Sequence, residues 1–173
     1  MTGIGNIYGQ AAGKWNEVLN QVTDADWDKP STCDDWTVRE LVDHAMHWQA
    51  TGGGVLGAAT TPEDDWTVVE PALVAALANP ENLEGTVESF GGMSKQAVAG
   101  TVVGDLLVHS WDLARSIGVD ATLPEEAAAA TLMGLQRMPE NMLRSEKMFG
   151  PQLECAEGAS TQDQLLAFAG RQV

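Results

Sequence analysis

The segment from Ser94 to Gly118 constrains the fold most, because it predicts one long helix that must bury an apolar arc. The helix is predicted to begin between Ser94 and Val98 and to end at Gly118, a typical residue just past a helix C-terminus, with Arg115 in its last turn. A helix with one apolar side packs that side against other elements of the fold. The side chains of this arc are Leu106, Leu107, Trp111, Leu113, Ala114 and Ile117.

Titratable side chains follow the opposite side of the same helix. At about 100° per residue, Asp105, His109, Asp112 and Ser116 fall within roughly 60° of one another. An aspartate four residues before a histidine presents two donor groups side by side, and this spacing can hold one metal ion. The same pattern is also typical of an amphipathic helix whose charged line lies in water. The helix by itself leaves both interpretations open.

The rest of the chain shows helical periodicity and no alternating strand pattern. Gly52, Gly53 and Gly54 are expected to end or loosen the second helix. Residues 81–94 are expected to form an extended or looped passage, in which one short strand could not make a sheet alone. These features predict an all-α fold, an antiparallel four-helix bundle with extra short C-terminal helices, as a single domain over residues 1–173. The other predicted helices are Tyr8–Val22, one from Val38, one from Thr67 to near Pro80, Pro124–Gln136, Glu140–Glu146 and Gln162–Ala169.

The start of the second helix has a sharp signal. Residues 37–40 (TVRE) form a capping box, which places the first helical residue at Val38. Trp36 and Leu41 flank the box as a hydrophobic staple would, so Trp36 is assigned to the staple. His44 lies at the edge of the apolar arc, where it is either a half-buried ligand or a histidine that covers the rim of the core. His47 lies on the polar side and is predicted to be solvated.

Composition narrows the classes of partner. The chain has 25 acidic and 9 basic residues and a formal net charge of −16, which opposes binding to nucleic acid or to an anionic membrane surface and favours divalent cations. The sequence has no apolar run of 18 residues and no signal-peptide pattern at its N-terminus, so a cytoplasmic, soluble protein is expected. Cys33 and Cys155 are too few for a disulfide framework and are expected to be reduced.

Four blocks of sequence carry a family resemblance. They are residues 33–44 (CDDWTVRELVDH), 103–115 (VGDLLVHSWDLAR), 149–151 (FGP) and 164–171 (QLLAFAGR). In their order and spacing they resemble the metal-binding domain of the mycothiol-dependent maleylpyruvate isomerase family, within the DinB-like four-helix bundles. Residues 50–90 resemble it only loosely.

The resemblance implies a divalent metal, with zinc expected first, on His44, Asp105 and His109. Asp112 would then hold a ligand imidazole in its tautomer, and the acidic line would face a cavity at one end of the bundle. Two differences separate the chain from the isomerase, which has glutamate at the position of Asp105 and a further C-terminal domain that has no counterpart in these residues. Maleylpyruvate is therefore not expected to be the substrate.

Three protein ligands leave a position open on zinc, and a thiol at that position is deprotonated near neutral pH. The leading hypothesis is a thiol-dependent S-transferase or isomerase that uses mycothiol and acts on a small electrophilic metabolite, with Arg39 or Arg115 orienting an anionic group of the bound cofactor. One alternative is a non-catalytic bundle that binds a small molecule or a partner protein. The other is a metal-dependent hydrolase that activates water. A homodimer is left open.

Overall fold

Helices dominate the computed structural model, which describes residues 3–33, 35–144 and 149–173. Two strands of two residues each, β1 (Thr86–Val87) and β2 (Met93–Ser94), pair in antiparallel fashion between the third and fourth helices. The predicted all-α class is confirmed. The helices are α1 (Ile4–Leu19), α2 (Val38–Val55), α3 (Trp66–Ala78), α4 (Lys95–Ile117), α5 (Glu125–Leu135), α6 (Glu140–Leu143) and α7 (Thr161–Phe168).

Helices α1 to α4 form a closed ring around the core. Helix α4 contacts α1 and α2, and α3 contacts the same two helices from the other side. Helix α5 packs outside the ring against α1 and α4, and α7 packs on α5. The ring buries large side chains from each of its helices, including Trp15, Leu41, Leu73 and Leu106. A four-helix bundle with shorter C-terminal helices on its flank is the architecture that the periodicity predicted.

Helices α2 and α4 are antiparallel neighbours, as predicted. The rings of His44 and His109 lie 5.2 Å apart between centroids, and further along the same pair Gly52 faces Val102. Since residue numbers rise along one helix as they fall along the other, the two helices run in opposite directions. Helix α4 therefore presents its acidic line directly to α2.

Three glycines lie inside α2, where the sequence predicted that they end or loosen the helix. The helix instead continues through them to Val55. A Cβ atom at Gly52 would overlap the Val102 side chain, and one at Gly53 would lie 2.7 Å from Thr60 Oγ1. These glycines therefore permit close packing rather than a turn, and packing outweighs their low helix propensity.

Two helix ends agree with the predictions from capping signals. The capping box starts α2, with Glu40 N–H donating to Thr37 Oγ1 at 3.3 Å, and Gly118 ends α4 in a left-handed conformation. Helix α1 begins at Ile4, one turn before the predicted Tyr8, and its N-cap residue Gly3 makes no side-chain cap hydrogen bond. The predicted helix over Glu140–Glu146 is observed from Glu140 to Leu143, and its last two residues lie outside the described part of the chain.

No helix within the described ranges combines the length and the apolar character that a membrane span requires. Cys33 and Cys155 are both free thiols, as expected.

Candidate metal centre

Three donor side chains from two helices converge between α2 and α4. His44 comes from α2, and Asp105 and His109 come from α4, one helical turn apart. One ligand atom from each lies within 4.8 Å of the others. Asp105 Oδ1 lies 3.8 Å from His44 Nε2 and 3.4 Å from His109 Nε2. The structure thus brings together the three residues that the resemblance implied as ligands.

The carboxylate of Asp105 is the test of whether these residues fit a cation. Its Oδ2 atom is buried and has no hydrogen-bond partner among the described residues. A buried carboxylate oxygen without a partner is costly, whereas a cation between the three side chains would neutralise the group. With zinc bonds of about 2.0–2.1 Å in tetrahedral geometry, two ligand atoms lie roughly 3.3 Å apart, close to the distances observed here. The donor set fits a divalent metal.

Asp112 fixes the orientation of the His109 ring. Its Oδ2 atom lies 2.9 Å from His109 Nδ1, and the carboxylate is completely buried one turn along α4. A buried carboxylate accepts the Nδ1–H of the neutral ring, which leaves the lone pair on Nε2, the nitrogen that faces Asp105. This is the role that the resemblance implied for Asp112.

Arg171 completes the contacts of Asp112 from the segment after α7. Its Nη2 donates to Asp112 Oδ2 at 2.7 Å and its Nε donates to Oδ1 at 3.2 Å, while Thr32 Oγ1 donates to Oδ1 at 3.0 Å. Burial raises the pKa of the Asp112 carboxyl, but His109 and Arg171 together outweigh burial and hold the pKa well below its ordinary value. Asp112 is therefore an anion that links the histidine to the guanidinium.

Neighbouring charges also shift the pKa values of Asp105 and His109. Burial raises the pKa of the Asp105 carboxyl, but His109 and His44 outweigh that effect and lower the pKa overall. Burial lowers the pKa of the His109 imidazole, and the carboxylates of Asp105 and Asp112 reverse it and raise the pKa well above 6.5. Without a cation, a proton on His109 is the charge that balances this cluster.

Cys33 gives a second set of donor atoms that shares His109. Its Sγ lies within 4.8 Å of ligand atoms of His109 and Asp112, and 3.5 Å from Asp112 Oδ2. In this set, however, the carboxylate already binds the guanidinium of Arg171, which also approaches Cys33 Sγ at 3.7 Å. A cation there would face a positive charge, so the set with Asp105 is the better metal site.

A cavity of about 1080 Å³ opens over the donor atoms. Trp36 forms part of its wall, with its ring centroid 4.7 Å from that of His44 and 6.4 Å from that of His109. The assignment of Trp36 to the staple alone is therefore corrected, because its indole also packs on both imidazoles. The lining residues are Thr32, Cys33, Trp36, His44, Trp48, His109, Trp111, Arg115, Gly150, Leu153, Gly170, Arg171 and Gln172.

The two arginines proposed from sequence lie in different places. Arg115 is exposed and lines the cavity, with its guanidinium 5.7 Å from the Trp111 ring centroid. Arg39 is exposed and lies 5.1 Å from the Trp27 ring centroid, and it does not line the cavity. His47 is exposed, in agreement with its predicted solvation.

Sequence reasoning assigned no role to Arg171 or Thr32, and it interpreted Cys33 as a reduced thiol that packs as a small hydrophobic side chain. A signal for Arg171 existed, because a buried aspartate needs a cationic or hydrogen-bonding partner and the 164–171 block ends on an arginine. Thr32 and Cys33 gave no such signal, since they meet Asp112 across about 80 residues of chain.

Comparison with known proteins agrees with the motifs. The family described as the mycothiol maleylpyruvate isomerase N-terminal domain matches residues 8–90. Two uncharacterized proteins of Mycobacterium tuberculosis, one from strain CDC 1551 / Oshkosh and one from strain ATCC 25618 / H37Rv, are each 28% identical over 153 residues, which cover 83% of this chain and 84% of the relative. No solved structure matches the chain significantly. The family whose model matches residues 8–90 is thus the one that the motifs resemble.

Proposed function

We propose that this protein binds one divalent metal ion, with zinc as the first candidate, through His44, Asp105 and His109. With this metal and the thiol mycothiol, the protein would act as an S-transferase or isomerase on a small electrophilic metabolite. One observation supports the proposal above the others. The donor atoms of three side chains converge beside a buried oxygen of Asp105 that has no partner among the described residues.

The residues of the chain divide the work at this site. Asp112 keeps the proton of His109 on Nδ1, so that Nε2 is free to act as a ligand. Arg171 neutralises Asp112 and binds both of its oxygens, which holds the carboxylate in place. Trp36 packs on His44 and restricts the rotation of the only ligand from α2. The site is thus oriented before any ligand arrives.

A divalent cation held by His44, Asp105 and His109 would supply a positive charge that lowers the pKa of a thiol bound beside it. The wide cavity then gives room for both a bulky thiol and an electrophile, because its volume is at the upper end of the range for small-molecule sites. His44, about a third exposed in its side chain, lies at the boundary between the donor cluster and this space.

Metal analysis tests the first half of the proposal. Protein purified without chelator should hold about one divalent ion per chain, and His109→Ala should lose it while it keeps the helical circular dichroism of the parent. His47→Ala is the matched control, since His47 lies on α2 but is exposed and outside the donor cluster. Wild-type protein that never retains metal, or equal loss from both variants, would contradict the site.

Cobalt substitution tests the second half. Adding mycothiol to the cobalt form should produce a sulfur-to-metal charge-transfer band, and His109→Ala should abolish it. A simple thiol such as 2-mercaptoethanol, compared at equal concentration, shows whether the cavity selects the larger molecule. Retained metal with an unchanged spectrum would refute thiol use and favour the hydrolase that activates water.

A further inference from the structure

The charge of the cavity wall is opposite to the charge of the chain. The protein has a net charge of −16, but the described residues that line the cavity include two arginines, two histidines and no aspartate or glutamate. Two carboxylates contact the lining residue His109: Asp112, which is paired with Arg171, and Asp105, which belongs to the proposed metal site. Because the described cavity lining carries guanidinium groups and no carboxylate, the local potential favours an anion in the cavity.

Arg115 is the cation on this wall that has no hydrogen-bond or ion-pair partner among the described residues. Arg171 donates to both carboxylate oxygens of Asp112, to the Ala169 carbonyl oxygen and to Cys33 Sγ, and Asp112 balances its charge. Arg115 makes no hydrogen bond or ion pair to any described residue and lies on the Trp111 ring, 5.7 Å from guanidinium carbon to centroid. A guanidinium placed over an indole keeps its in-plane N–H donors available for a carboxylate.

Three tryptophans contribute the aromatic part of the cavity wall. Trp36, Trp48 and Trp111 all line the cavity, and Trp48 is braced by Phe90, with ring centroids 5.6 Å apart. Indole faces bind flat, apolar groups by stacking and by removal of apolar area from water. The three indoles therefore provide a surface for a planar ligand body next to the free guanidinium.

We infer that the electrophile is a planar organic anion of aromatic size, with its carboxylate on Arg115 and its flat body against the indoles of Trp36, Trp48 and Trp111. This inference rests on the proposed function, because it describes the substrate class of the same site. It differs from the proposed function in its residues, since neither Arg115 nor these indoles is a metal ligand.

Paired probes of equal shape test the inference. Naphthalene-2-carboxylate and naphthalene-2-carboxamide differ in charge but not in ring area, and their binding to the zinc-loaded protein can be measured by titration calorimetry. The carboxylate should bind about tenfold or more tightly than the amide, the size expected for a charge-assisted hydrogen bond at a partly open site. Arg115→Gln should remove this preference and leave the weaker amide affinity within about twofold.

Arg39→Gln is the matched control, since Arg39 also lies over a tryptophan but outside the cavity. It should keep the full preference for the carboxylate. Equal binding of the two probes to the wild type would overturn the inference, as would a preference that survives Arg115→Gln, because the carboxylate would then bind elsewhere. Metal content measured on the same samples separates the two ideas, since loss of probe discrimination with zinc retained leaves the metal site unaffected.

Discussion

Replacing Asp112 by asparagine should damage both folding and metal binding, because this one carboxylate accepts four hydrogen bonds from nitrogen and hydroxyl donors, besides a longer one from Cys33 Sγ. Oδ2 accepts from His109 Nδ1 and Arg171 Nη2, and Oδ1 accepts from Arg171 Nε and Thr32 Oγ1. Asparagine has the same shape but only one acceptor oxygen. Either orientation of its amide therefore turns an NH₂ group toward two donors and leaves the guanidinium without a counter-charge.

The expected magnitudes follow from these contacts. Removing one partner of a buried ion pair costs about 3–5 kcal/mol of unfolding free energy, and the Arg171 side chain is only 17% exposed. Loss of a carboxylate that orients a ligand histidine lowers metal affinity about 10- to 100-fold, or about 1.4–2.7 kcal/mol. Asp112→Asn should therefore be among the most destabilising single changes in this chain.

Urea denaturation in chelator gives the unfolding free energy, and competition with a chromophoric chelator gives zinc affinity. Asp43→Asn, an exposed carboxylate on α2, is the charge-matched control and should change stability by less than about 0.5 kcal/mol. If Asp112→Asn does not fold, Arg171→Gln supplies the test, since it breaks the ion pair but keeps the histidine contact, so stability should fall more than metal affinity. A loss below about 1 kcal/mol in Asp112→Asn, with unchanged zinc affinity, would refute the reasoning.

Zinc affinity should rise with pH, because the pKa of His109 in the metal-free protein is raised above 6.5 and the proton must leave before zinc binds. The slope should approach tenfold per pH unit below the raised pKa and flatten above it, and an affinity that is constant from pH 6 to 8 would contradict this. In chelator, the difference in unfolding free energy between the wild type and Asp112→Asn should have its full value above about pH 4. It should shrink as the pH falls toward the lowered pKa of Asp112, which denaturation measured over a series of acidic pH values would show. Gly52→Ala should lower the unfolding free energy by about 1–3 kcal/mol, because the new Cβ would overlap Val102. Gly13→Ala, whose Cβ meets open space, should raise the unfolding free energy by up to about 1 kcal/mol. Equal effects of the two changes in thermal melts would contradict the close-packing explanation.

The fold was largely predictable because its signals are local. The capping box at residues 37–40 and the glycine at position 118 placed two helix ends to the residue. Gly52 and Gly53 misled the prediction, since a glycine that ends a helix and a glycine that admits a neighbouring side chain look the same in sequence. Only the packed position of Val102 distinguishes them.

The candidate site was predictable in part for the same reason. Asp105, His109 and Asp112 share one helix, so their periodicity placed them together, whereas His44 entered the set through the family resemblance. Arg171 comes from a distant segment, and no periodicity relates it to α4. Partners that meet only through the tertiary fold leave no spacing in the sequence to detect.

Because Arg171 pairs with Asp112, the site forms only when distant parts of the chain are folded together. The groups in contact around it span up to 138 residues of chain, from Cys33 to Arg171, and no local segment can assemble them. A ligand that binds only this assembled state shifts the folding equilibrium by mass action, by about 2.7 kcal/mol at one hundred times its Kd. The melting temperature should therefore depend on free metal concentration, and metal supply in a cell would influence how much of the protein survives proteolysis.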